Sequence, residues 1–184
     1  GSGQLVVTAQ GIAGLLTASG VTFAIPGTGA SLTGGTVSIA VNTTTAPALA
    51  LPAGPYVSVT AAGATLALGS NSLGGTFAFT QAGDVIQIGV TGATAALGSA
   101  GVAGGTLEEG EGGFVVTTTG IAGYVSGTLQ ASAGGIQAGA RLLLRVNTTS
   151  AEVSQTIQVG GRSVPVAFGP TETNVFAVSI SGLT

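Results

Sequence analysis

The chain has no cysteine, histidine, lysine, methionine or tryptophan. Without cysteine there is neither a disulfide framework nor a thiol nucleophile. Without histidine as well, the usual zinc sites, Ser-His-Asp triads and Cys-His dyads are excluded. Charge is almost as scarce. Charged residues make up 5% of the chain, against roughly 25% in ordinary soluble domains. None precedes Asp84, and the net charge is −3. Nucleic-acid binding needs a basic footprint, so no nucleic-acid partner is expected. Aromatics are 4% of the residues, too few for the girdles of a membrane barrel. Gly, Thr and Ser break every apolar run before it reaches the roughly 20 residues of a spanning helix. No membrane insertion is expected.

What remains is apolar, small and rich in glycine. Hydrophobic residues make up 45% of the 184, with 34 Gly and a mean hydropathy of +0.66. High apolar content with little charge is the reverse of a disordered composition. The pattern is period-2. "GTFAFTQ" puts Phe77 and Phe79 on one face and Thr76, Ala78 and Thr80 on the other. "PYVSVT" and "NVFAVSISG" alternate in the same way. Such runs are half-buried strands. The Gly-Gly, Pro-Gly, Asn-Ser and Gly-Ser pairs between them read as turns. No segment carries a capped 3.6-residue period. About 14–18 short strands are expected at the spacing of sandwiches, barrels and solenoids.

The chain also repeats itself. "LVVTAQGIAG" at Leu5–Gly14 matches "FVVTTTGIAG" at Phe114–Gly123, an offset of 109 residues. "TVSIAVNTT" at Thr36–Thr44 matches "RLLLRVNTT" at Arg141–Thr149, an offset of 105. "VSVTAAGAT" at Val57–Thr65 matches "FAVSISGLT" at Phe176–Thr184, an offset of 119. The second copy is therefore four residues shorter before Asn-Thr-Thr and fourteen longer after it. Residues 1–109 read as a first β repeat unit and 110–184 as a partial second one. The opening "GSGQLVV" aligns with "GEGGFVV" and so reads as repeat rather than leader. The expectation is a stretch of a longer array.

The fold expected is all-β. It is an elongated repeat array, either a β-solenoid or a narrow β-sandwich rod, with compact tandem β-sandwiches as the alternative. Small side chains suit a thin core. Val37, Ile39, Phe77, Phe79, Leu142 and Leu144 are its expected strand positions.

Few residues offer chemistry. Asn42 and Asn147 begin Asn-Thr-Thr triplets that match the glycosylation acceptor pattern. They also match a strand end whose side chains bond the turn backbone. Glu108, Glu109 and Glu111 form the one acidic cluster, the candidate ligands for Ca²⁺. No EF-hand or Asp-rich repeat signature accompanies them, and a solvated, charge-marked loop at the repeat junction accounts for them without a metal. No aromatic residue frames any acid as a sugar-cleaving pair would require. No catalytic residue, no cofactor and no resident metal beyond that Ca²⁺ option are expected. Thr-rich runs such as "VVTTTG" could present hydroxyls to ice or polysaccharide, but they keep no fixed short period.

These blocks resemble the long imperfect repeats of giant bacterial surface and secreted adhesin-like proteins. The resemblance implies an extracellular or cell-surface filament, stalk or adhesin, non-catalytic and self-assembling. Its partners would be neighbouring copies or repeats, with a glycan or surface as ligand. The scarcity of Asp departs from the members of such families that Ca²⁺ makes rigid.

Overall fold

The computed structural model describes residues 1–25, 30–68, 71–99, 103–133 and 136–184. Fourteen strands fall within them. They are β1 (Ser2–Thr8), β2 (Gly11–Ser19), β3 (Thr22–Ile25), β4 (Ala30–Thr33), β5 (Thr36–Asn42), β6 (Tyr56–Leu68) and β7 (Asn71–Ala82). There follow β8 (Val85–Ser99), β9 (Ala103–Thr117), β10 (Gly120–Ala133), β11 (Ile136–Asn147), β12 (Val153–Val159), β13 (Arg162–Phe168) and β14 (Val175–Ser181). The described residues contain no helix.

Ten strands form one antiparallel path in the order β1-β2-β5-β6-β7-β8-β9-β10-β11-β14. The ends of this path do not meet: β1 pairs with β2 and β14 with β11. The sheet is thus open, consistent with an elongated β rod. Hairpin β3-β4 joins it through β4 and β6. Hairpin β12-β13 stands apart as a second, two-stranded sheet.

Several strands are longer than the sequence pattern suggests; β8 and β9 run for 15 residues each. The Gly74-Gly75 pair, read as a turn, lies at a bulge inside β7, and other glycines mark bulges too. Register slips occur between Ala61 and Ala64, Gly74 and Thr76, Val90 and Ala93, and Ser126 and Thr128. Gly63 and Gly92 both take φ of about +60° there. Each bulge inserts residues without ending the ladder, so the strand continues beyond it. The acidic cluster meets the same fate. Glu108, Glu109 and Glu111 lie within β9, not in a loop, with Glu109 at φ 52° in the bulge. The boundary between residues 109 and 110 also falls inside β9.

The packed core is not where alternation places it. It consists of Ala78, Val115 and Ala122 from one sheet face with Ile157, Val159, Val164, Val166 and Phe168 from β12-β13. Cross-strand partners share a face, so register assigns the rest. Gly3-Leu16-Ile39-Val59-Phe79-Ile88-Phe114-Gly123-Val146-Phe176 form one unbroken row across all ten strands. The row through Val37, Ala61, Phe77, Val90, Gly112, Val125, Leu144 and Val178 runs beside it. Leu142, opposite Ile180, lies on the same face. Hence the six expected core positions all sit on the face opposite the hairpin. Ile39 is 37% exposed, and the other five are half-buried. Alternation separates the two faces of a strand correctly. It cannot say which face receives the cover.

Candidate functional site

The two copies of the repeat share strand order and pairing register. Ala13 pairs with Asn42 as Ala122 pairs with Asn147. Leu5 pairs with Gly14 as Phe114 pairs with Gly123. Val41 pairs with Val57 as Val146 pairs with Phe176. So β1-β2-β5-β6 is repeated by the end of β9 with β10-β11-β14. The fourteen extra residues of the second copy coincide with the β12-β13 hairpin. In the first copy the same connection holds no strand, only the Ala48–Leu51 bridge.

The recurrence of Gly-Ile-Ala-Gly and Asn-Thr-Thr has one physical cause: these blocks are cross-strand partners. The Thr43 hydroxyl accepts the Ile12 N–H at 2.9 Å, and Thr148 accepts that of Ile121 at 3.0 Å. The amide of each threonine donates to the carbonyl of the same isoleucine. Asn42 Nδ2 donates to the carbonyls of Ala46 and Pro52, and its Oδ1 accepts the N–H and hydroxyl of Thr44. Asn147 does the same with Ala151, Glu172 and Thr149. Both asparagines are fully buried. Each satisfies four polar groups where the chain leaves the sheet. Every amide proton is engaged inside the corner, so neither nitrogen faces solvent in this fold.

The second corner carries the ion pair. Arg145 Nη1 lies 2.5 Å from Glu172 Oε1. The Arg145 guanidinium sits 4.7 Å over the Phe168 ring. Glu172 also accepts the Gly169 N–H. The guanidinium first, then that backbone bond, holds the Glu172 carboxyl below the usual range. This cluster ties the end of β13 to β11. It was not singled out in the sequence because Arg145 and Glu172 are 27 residues apart with the hairpin between them.

The acidic residues of β9 do not converge. Glu111 accepts the Tyr124 hydroxyl at 2.8 Å. Burial, then this bond and the carboxylate charge, push the Tyr124 hydroxyl up to about 12. Glu108 pairs with Thr128, and Glu109 lines a hollow with Arg141. Among the described residues no group of three acids is placed to hold a metal.

Hydroxyls do gather, on the face that carries the hairpin. Thr17 and Ser38 lie 3.3 Å apart, and Ser58 and Thr80 3.2 Å apart. They bond to one another across strands and are half-buried.

Among the described residues, β1 and β14 each have one pairing partner and end the path with a free edge. By the repeat, the free edge of β14 is the counterpart of the β6 edge that binds β7. The free edge of β1 is the counterpart of the β9 edge that binds β8. Comparison with known proteins gives no match to any family model, curated protein or solved structure.

Proposed function

We propose that this chain is a structural repeat module of a long extracellular β protein: a filament, stalk or adhesin array without catalytic activity. The observation that carries the reading is the identical register of the two copies, which gives each free edge a known complement within the same molecule. A β7-like strand fits on β14 and a β8-like strand on β1, so an array of fused repeats extends the sheet without a new kind of contact. Backbone hydrogen bonds run along such an array, and the Asn-Thr-Thr corners fix the chain at one side of it. The partners are neighbouring repeats or copies, at a cell surface or outside the cell.

Electron microscopy of the purified chain over a concentration series tests this. One repeat spans six strands of the path, from β1 to the start of its copy in β9. At about 4.8 Å per strand, an array of fused repeats has an axial period near 29 Å. Edge-to-edge association of ten-stranded sheets gives about 48 Å instead. Filaments with neither period, or single particles at every concentration, count against the reading. A second reading, a module presenting hydroxyls to polysaccharide or ice, is favoured only by the Thr17, Ser38, Ser58 and Thr80 patch. A glycan array and a thermal-hysteresis assay separate it from a spacer.

A further inference from the structure

We propose that the open apolar face of the sheet is covered by a second copy of this chain, the two packed face to face about a twofold axis parallel to the strands. The face opposite β12-β13 is covered by none of the described residues. On the row from Gly3 to Phe176 every residue is apolar or glycine, and the row through Val37 and Val178 is the same. Of a third row, Leu5-Gly14-Val41-Val57-Gln81-Ile86-Val116-Ile121, only Gln81 is polar. Leu16 is 51% exposed and Ile88 44%.

Size separates this face from ordinary surface apolarity. Ten strands at about 4.8 Å span roughly 43 Å, and three rows with their side chains roughly 20 Å, so the face covers about 900 Å². The largest apolar patch of a typical monomer is about 300–600 Å². A standard stable interface takes about 800 Å² from each partner. A second copy supplies a matching face of the same extent.

Charge favours that occupant over a lipid surface. A protein that lies on a membrane needs a cationic rim and interfacial Trp or Tyr. None of the three rows contains a charged residue, Tyr or Trp, and the net charge of −3 opposes anionic lipid. A neutral face needs no charge complement, so it can meet itself.

Shape sets the direction of the axis. At one end of the sheet Gly3 and Gly14 leave a hollow of about 390 Å³, walled by Leu5, Leu16, Ile39 and Val41. At the other end Phe176 is 77% exposed. A twofold axis along the strands, between β7 and β8, reverses the strand order of the partner. It lays Phe176 of each copy over the glycine hollow of the other, so the contact is made twice. Sheets packed in this way lie about 10 Å apart, with strand directions within roughly 30° of each other.

Sedimentation of the native chain, with cross-linking of single-cysteine variants, tests the proposal; the chain has no cysteine of its own. The expected smallest species between about 1 and 100 µM is a face-to-face dimer, the unit from which any edge-to-edge series grows. Ile88→Cys, beside the axis, cross-links to its twin through a bismaleimide with a reach of about 10 Å, and Thr156→Cys on the hairpin does not. Ile88→Glu raises the dimer dissociation constant at least 30-fold, about the effect of losing a central anchor, while far-UV circular dichroism stays that of the native sheet. A monomer throughout overturns the proposal. So does an open-ended series without the Ile88→Cys cross-link, which is the mark of edge association alone. Binding of a monomeric chain to phosphatidylcholine vesicles overturns it in favour of lipid.

Discussion

Gly89 and Gly113 are direct cross-strand partners, and Ile157 of the hairpin rests on both. A Cβ at Gly113 would lie 2.9 Å from Val166 and 3.1 Å from Ile157 and Val164. One at Gly89 would meet Val159 and come within 3.0 Å of Ile157. The two glycines form a platform, and their bare backbone lets β12-β13 seat closely enough to bury Val159, Val164 and Val166 completely.

Gly89→Ala and Gly113→Ala are therefore expected to destabilise the fold. Overpacking of this kind costs about 1–3 kcal/mol. The check is the urea midpoint of each variant. Gly105→Ala is the control, because among the described residues its Cβ would meet the Gln130 carbonyl alone, at an ordinary 3.6 Å. Equal midpoints for all three would show that the hairpin does not depend on the platform.

Asn42→Ala and Asn147→Ala each remove four hydrogen bonds. Each strands one carbonyl, that of Pro52 or Glu172, while the threonine hydroxyl still reaches the Ala46 or Ala151 carbonyl. A loss of about 4 kcal/mol per site or more is expected, from roughly 1 kcal/mol for each of the four bonds with desolvation of the stranded carbonyl added. Asn→Asp at either position keeps the shape and replaces the donor by a charge, so it should destabilise no less. Denaturant melts of the four variants give the answer.

Tyr124→Phe removes one hydrogen bond to a carboxylate at a half-buried site. About 1.5 kcal/mol is expected, the lower end for a bond to a charged group because water reaches the pair. The native chain carries a pH signature of the same contact. The folded tyrosine ionises near 12, against about 10 when unfolded. The stability it contributes is fully present below pH 10 and is lost as pH rises toward 12. Tyr124→Phe should flatten that part of an alkaline stability profile.

Glu172 has the opposite sign. Its carboxyl is depressed in the fold, so its contribution is present above the unfolded carboxylate range and is lost as pH falls through the lower folded value. The effect is small, since 36% of the Glu172 side chain is exposed and water screens the pair. Glu172→Gln should reduce the acid-side slope between about pH 5 and 3, where carboxylates titrate. An unchanged slope would remove the ion pair from the account of this corner.

Phe79→Asp is a test of where the core lies. Were Phe79 inside the core, an unpaired charge there would prevent folding. On the open face the variant should still fold and melt cooperatively, with its assembly weakened. Circular dichroism and sedimentation on the same sample separate the two.

Much of this molecule was legible in the sequence. The period-2 pattern gave an all-β chain, and the match of Phe114–Gly123 to Leu5–Gly14 located equivalent strands. The offsets even showed where the second copy differs, because fourteen extra residues after Asn-Thr-Thr are the length of a hairpin. The bulges were not legible. Gly63 or Gly92 looks the same in a one-dimensional pattern whether it turns the chain or kinks a strand that continues. The Arg145–Glu172 pair and the Glu111–Tyr124 bond were hidden for a different reason, since both partners are ordinary surface residues until register brings them together.

By itself, then, the sequence determined which residues share a face and which segments are copies, because alternation and repetition are local properties. Only the tertiary structure decided which face became the core. Phe79 and Ala78 are equally compatible with burial by neighbour and period. The choice was made by a hairpin some eighty residues away, which needed the flat backbone of Gly89 and Gly113 and so covered the small-residue face. The larger side chains were left on the other.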